Sequence, residues 1–225
     1  MDVHRNAPTV DPAAQSGRPM EPAMALALIA NFGSVENWRE SFAALANAAD
    51  TRHERVALAF RGRDSTLSNL PWVEGSETAT DVVPILVIDP HGRAARVEDM
   101  IADIDWSDVY ARYRHAVHAL SEPFAATQDD LAGALLVDVR RAGVFEQAAT
   151  MIPGARWRDP ARVAEWSAEL PPGREVVVYC VYGHEVGRAI AMRLRAAGRN
   201  ARFLSGGIDG WQAAGRPLEP KGTIS

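Results

Sequence analysis

The stretch that most constrains the fold is Glu175–Cys180, EVVVYC. Four β-branched or aromatic residues follow one another with no polar residue between them, so the strand they form has no face to offer water. A strand buried on both sides belongs in the middle of a sheet covered by helices on each face. The surrounding sequence agrees. Leu135–Asp138 and Ala201–Leu204 read as further strands. Helical patterns are expected near Pro160–Leu170, over Gly187–Ala197, where Gly198 stops the helix, and over Ile208–Ala214. Strands alternating with helices predict a mainly parallel α/β sheet.

The same strand ends in Cys180, the only cysteine in 225 residues. A single cysteine excludes an intramolecular disulfide framework and any cysteine-rich zinc site. It leaves an inert core thiol, a reactive thiol or an intermolecular link. The C-terminal edge of an open α/β sheet is where ligands bind. The following helix is expected to begin seven residues on, and its N-terminal amides and dipole favour an anion. A thiolate there is a nucleophile, and the loop amides would cradle a persulfide equally well. Gly183 and Gly187 let the backbone turn about the sulfur.

The front of the chain is organised differently. Residues 1–20 are rich in Pro, Ala and Gly without apolar period and are expected to be a disordered tail. Helical spacing begins at Glu21. Ser34 is placed to cap a second helix that carries Trp38, Phe42, Leu45 and Ala46. Arg55–Phe60 and Val82–Ile88 read as strands, Asp89–Gly92 as a turn, and Asp105–Leu120 as a helix with Trp106, Val109, Tyr110 and Tyr113 on one face. Pro123 interrupts that helix, so a linker is expected over 121–127 between a unit at 21–120 and another at 128–221.

A net charge of −5 opposes general affinity for nucleic acid or an anionic membrane surface. Ala23–Ala30 is too short an apolar run to span a bilayer and lacks the context of a secretory signal. A cytoplasmic setting, where a thiol stays reduced, is expected.

Three groups of residues carry a resemblance. Leu136-Val137-Asp138-Val139-Arg140 followed by Met151-Ile152-Pro153-Gly154-Ala155 resembles the opening signature of rhodanese domains. Val177–Cys180 followed by Gly183 resembles their active-site loop, and Gly206-Gly207-Ile208-Asp209-Gly210-Trp211 their closing signature. The resemblance implies a rhodanese α/β fold over 128–221 and a sulfurtransferase that needs no cofactor. It implies that Cys180 takes sulfane sulfur from a small donor, holds it as a persulfide and passes it to a thiol or cyanide acceptor. The cradling role falls on the loop Val181, Tyr182, Gly183, His184, Glu185, Val186, with Gly187 and Arg188 opening the helix. Asp138, Arg140, Pro153, Gly154, Gly206, Gly207 and Trp211 are structural. Members of the family often carry His where Met151 stands, and many carry Arg five residues after the cysteine, where Glu185 stands. Glu185 therefore puts thiosulfate in doubt as the donor, unless it points to solvent or pairs with Arg188. Related folds that grip phosphate with Cys-x5-Arg have Arg where Val186 stands, which opposes phosphatase chemistry.

Leu28–Ser34 with Trp38 and Phe42, Pro84–Asp89, and Asp105–Val109 with Arg112 together resemble the C-terminal half of iron/manganese superoxide dismutases, over about 22–118. This implies a smaller α+β domain in front of the rhodanese domain. Arg93 stands where the resemblance puts a ligand histidine, and His91 is misplaced, so only Asp89 is left as a ligand and no metal is expected. His53, His115 and His118 read as solvated surface residues, and Trp38, Phe42, Trp72, Trp106 and Tyr110 as core. The front unit is expected to pack, to dimerise or to bind a protein partner. The competing reading of the whole chain is a regulatory protein whose rhodanese fold senses oxidants or holds a partner.

Overall fold

The computed structural model describes residues 19–73, 81–91 and 96–221. The tail expected over 1–20 thus lies outside the described residues except for Pro19 and Met20, and Arg93 lies outside them too.

The front half opens with helices α1 (Pro22–Phe32) and α2 (Val35–Asp50). Ser34 caps α2 as its position predicts: its Oγ accepts a hydrogen bond from the Asn37 amide at 2.9 Å. Three antiparallel strands follow, β1 (Arg55–Arg61), β2 (Thr66–Trp72) and β3 (Val82–Ile88), with β1 in the centre. Helices α3 (Val97–Ala102) and α4 (Trp106–Ser121) complete the unit, and Asp105 caps α4 through its carboxylate.

The second half contains strands β4 (Ala125–Ala126), β5 (Leu135–Asp138), β6 (Thr150–Met151), β7 (Arg156–Trp157), β8 (Val176–Tyr179), β9 (Ala201–Leu204) and β10 (Glu219–Pro220). Interleaved with them are α5 (Ala142–Gln147), α6 (Val163–Trp166), α7 (Glu185–Ala196) and α8 (Gly207–Ala213). The sheet order is β4-β9-β8-β5-β7 and every neighbouring pair is parallel. β6 and β10 form a separate small antiparallel pair.

β8 sits in the middle of this sheet. Its alternate side chains serve two cores, as a period of two requires. Val176 and Val178 pack with Trp166, Ile190 and Leu194 on one face. Val177 and Tyr179 pack with Ile152, Ile208 and Trp211 on the other. This is why the run EVVVYC contains no polar residue at its centre.

Three expectations are corrected. Residues 121–127 are not a free linker: Pro123 does end α4, in a 3-10 turn, but Ala125 and Ala126 then pair with Phe203 and Leu204 as the edge strand of the sheet. The helix expected over 160–170 is a composite of two 3-10 turns around one turn of α-helix. The helix after Cys180 begins at Glu185 rather than Gly187, which puts Glu185 in its first turn.

The two halves also share α7. Its Ile190, Ala191 and Leu194 enter the sheet core, while Ala189 and Met192 enter the front-half core with Phe42, Phe60 and Tyr113. Arg193 crosses between them and donates to the carbonyls of Ser65 and Ala30 and to the Asn31 side chain.

Candidate active site

Cys180 lies just beyond β8, 6 % exposed. The chain turns back over it through residues 181–184 and enters α7. Gly183 makes the turn at φ +69°, and a Cβ there would lie 2.7 Å from Leu204 O and from Gly206 N. Gly187 has a different role from the turn expected of it. It is helical, and it allows α7 to approach so closely that a Cβ would stand 3.4 Å from the Cys180 sulfur.

The backbone amides of Gly187, Gly183 and His184 point at that sulfur. Burial pushes the thiol above its usual range. The three amides pull it down, and the charge of Glu185 adds to the rise. The thiol form is thus favoured relative to an exposed cysteine, and Sγ lies 4.0 Å from His184 O, to which it donates.

The loop is clamped from behind. Ile208 N donates to Cys180 O at 3.0 Å and Asp209 N to Val181 O at 2.9 Å. Gly207 makes that approach possible, since a Cβ on it would lie 2.4 Å from Val181 O. Trp211 is buried and donates its indole N–H to Pro217 O. Pro153 and Gly154 shape a turn away from the sulfur, where Gly154 N meets Glu219. Asp138 and Arg140 are buried and joined by paired contacts, Nε to Oδ2 at 2.9 Å and Nη2 to Oδ2 at 2.6 Å. Arg140 also donates to Thr150 O. These residues brace the sheet edge.

Glu185 neither faces solvent nor pairs with Arg188, the two alternatives the sequence left for it. It is 6 % exposed, and Oε1 accepts a hydrogen bond from Tyr110 Oη at 2.9 Å. Oε2 is buried without a partner. Arg188, expected to open the helix, turns away from the sulfur. It donates to Gly183 O, to Ser121 Oγ and to Glu122, and lies over the Phe203 ring.

Above the sulfur is an open cleft of ≈ 270 Å³. His184, Tyr182 and Val186 line it, and Tyr182 stands 55 % exposed at its mouth. Other wall residues have no place among the site residues expected from sequence. Tyr110, read as front-half core, lines the cleft, and so do Glu21 and Arg141. Contact between the halves has no local signature, but Arg141 immediately follows the Asp138–Arg140 signature and could have been suspected.

The histidines divide. His115 is exposed, and His53 sits on the surface with its Nδ1 2.7 Å from that of His91. His118, expected to be solvated, is half-buried against α7 with Nε2 enclosed and unpartnered. Burial and the nearby Arg188 push it below the usual range. Asp89 caps its turn by accepting from His91 N. Among the described residues, no group of three or more His, Cys, Asp and Glu side chains is placed to hold a metal.

Residues 117–214 match the family model of the rhodanese-like domain. A sulfurtransferase of Allochromatium vinosum is 33 % identical over 100 residues, which is 44 % of this chain and 88 % of that protein.

The chain belongs to the rhodanese family.

Its rhodanese domain is also similar in structure to a rhodanese-related protein of Thermoplasma volcanium, with 21 % identity and a TM-score of 0.39 over 42 % of this chain and 96 % of that one. A rhodanese-like domain protein of Staphylococcus aureus gives 24 % identity and a TM-score of 0.37, over 44 % and 98 %. The family match begins at 117, inside α4, rather than at 128. It leaves the superoxide dismutase resemblance of the front half without support: that half stands as an α+β unit packed on the rhodanese domain.

Proposed function

We propose that the protein is a sulfurtransferase that carries sulfane sulfur as a persulfide on Cys180. The observation that supports this most directly is the convergence of the Gly183, His184 and Gly187 amides on the only cysteine, in the wall of a cleft. Donors fixed in place favour an anion without reorganising. A thiolate is an anion at that point, and so is the terminal sulfur of a persulfide. With thiosulfate, the thiolate attacks the outer sulfur, the S–S bond of the donor breaks, and sulfite leaves with the electron pair. Cys180 is left with a terminal S⁻, and an acceptor thiolate or cyanide then takes that sulfur and returns the Cys180 thiolate.

The regulatory alternative is less well served. Oxidation follows exposure and thiolate character, whereas Cys180 is buried and its thiol is pushed up. The described residues contain no helix long and apolar enough to cross a membrane. A reducing cytoplasm suits a carrier that depends on one free thiol.

Intact-protein mass spectrometry tests the reading. Incubation with thiosulfate, polysulfide or an organic persulfide should add one sulfur, which a reductant removes. Cys180→Ser should abolish the addition. Wild-type protein that takes up sulfur from none of these donors would end the enzyme assignment.

A further inference from the structure

The cleft over Cys180 draws its walls from both halves of the chain. Glu21 and Tyr110 come from the front half, Arg141 and Glu185 from the rhodanese domain. Its ≈ 270 Å³ far exceeds what one sulfur atom needs, since a water occupies about 30 Å³ in the liquid.

The charges around it are of two kinds. Some are committed: Arg140 to Asp138, and Glu185 to the Tyr110 hydroxyl. Two are not. Arg141 is the residue before α5, and its guanidinium, a donor only, has no helix amide to bond there. Its carbonyl accepts from the Val144 and Phe145 amides, but among the described residues its guanidinium has no hydrogen-bond or ion-pair partner. Glu21 holds the matching place before α1 and makes no capping bond with its side chain. Glu21 and Arg141 line the same cleft without pairing to each other. The cleft therefore presents a free guanidinium from one half and a free carboxylate from the other, and Cys180 lines the same cleft.

We propose that this cleft selects a small zwitterionic persulfide, an α-amino acid bearing an S–SH group, as the sulfur donor. The proposal rests on the Cys180 persulfide reading. Arg141 would take the donor carboxylate in a bidentate contact. Glu21, beside the Tyr110 hydroxyl, would take the ammonium. Thiosulfate matches Arg141 alone and meets the charges of Glu21 and Glu185 besides. In the transfer, the Cys180 thiolate attacks the terminal sulfur of R–S–SH and a Cys180–S–S bond forms. The R–S bond partner leaves as the thiolate R–S⁻ with the electron pair of the broken S–S bond, and the proton stays on the transferred sulfur.

The test uses the full chain and three donors: cysteine persulfide, N-acetylcysteine persulfide and hydroxyethyl persulfide. Loading of Cys180 is followed by rapid quench and intact mass. Arg141→Gln should lower the kcat/KM ratio of cysteine persulfide to hydroxyethyl persulfide roughly tenfold, the equivalent of about 1.4 kcal/mol. Glu21→Gln should lower the ratio of cysteine persulfide to N-acetylcysteine persulfide, by about threefold because this carboxylate is exposed and screened. Both changes should shrink as salt is added. Ratios unmoved by either substitution while all donors still load Cys180 would overturn the zwitterion assignment and leave the sulfur chemistry standing. Loading by no donor would overturn both.

Discussion

The rhodanese domain and the front half meet along α7 but bury different things. The rhodanese domain buries charge: Asp138, Arg140 and Glu185 are all enclosed. The front half buries an apolar core around Trp38, Phe42, Phe60 and Ile85, and leaves its ion pairs, Arg39–Glu36 and Arg112–Asp108, in solvent. The difference teaches where the function lies. Charge is costly to enclose and is retained where it fixes geometry, and here it fixes the sheet edge beneath Cys180. Asp138→Ala leaves the Arg140 guanidinium buried without its counter-ion and should cost about 3–5 kcal/mol in urea unfolding. Arg112→Ala, in the front half, should cost no more than about 1 kcal/mol. Comparable losses at the two sites would erase the distinction.

A second substitution asks whether the halves are separate at all. Phe42 is fully buried in a core that also takes in Ala189 and Met192 of α7. Phe42→Ala should cost about 3–5 kcal/mol. Because α7 carries the active-site loop at its N-terminus, the loss should be felt at Cys180, more than 100 residues along the chain. Tryptophan fluorescence and thiol labelling of Cys180 should report one transition at one midpoint, in wild type and in variant. Two separated midpoints would show that the front half unfolds alone.

The same contrast governs how much could be read from sequence. Leu135–Asp138 and Ala201–Leu204 come out as strands with the bounds expected, and Val176–Tyr179 lies within the expected run. Consecutive apolar β-branched residues have few alternatives to a buried parallel strand. The place of Cys180 at the end of β8 and the turn at Gly183 were legible because strand, cysteine and turn glycine follow one another in sequence, whereas the helical place of Gly187 was not. β4 was not legible: two alanines have no strand preference, and only their pairing with β9 makes them one. β2 was missed as well, since Ser68, Asn69 and Pro71 hide a strand held by its pairing to β1. The front-half share of the cleft is a tertiary fact, set by how α1 and α4 lie on the rhodanese domain, and no residue near Tyr110 announces it.

Tyr110→Phe probes that contact with less damage. It removes the one donor to Glu185 that crosses between the halves and leaves a buried carboxylate with neither oxygen bonded. A loss of about 1–3 kcal/mol is expected. A loss near zero in urea unfolding would mean that water reaches Glu185 and that the halves are less tightly apposed there.

The smallest effect is the most informative about the chemistry. Glu185 occupies the place where many rhodanese loops carry a cation, and its charge raises the Cys180 thiol. Arginine is a poor probe here, because the longer side chain would have to push Tyr110 aside and place a guanidinium where Glu185 is enclosed. Glu185→Gln keeps an oxygen to accept the Tyr110 hydroxyl and removes only the charge. The sign follows from the ionisation: the thiolate is the charged form, so removing a neighbouring negative charge favours it and the thiol pKa falls. The wild-type rate of alkylation should rise with pH through a midpoint above the ~8.5 of an ordinary thiol, because burial is the largest cause of the rise. In Glu185→Gln that midpoint should move down, by less than burial has raised it, because the carboxylate is the smaller contribution. Persulfide loading at neutral pH should quicken in proportion. The shift should survive added salt, since both groups are enclosed. A midpoint that stays put would show that the Tyr110 hydroxyl already quenches the carboxylate field at the sulfur. Entry of the donor would then be governed by the cleft walls from the two halves rather than by the charge beneath them.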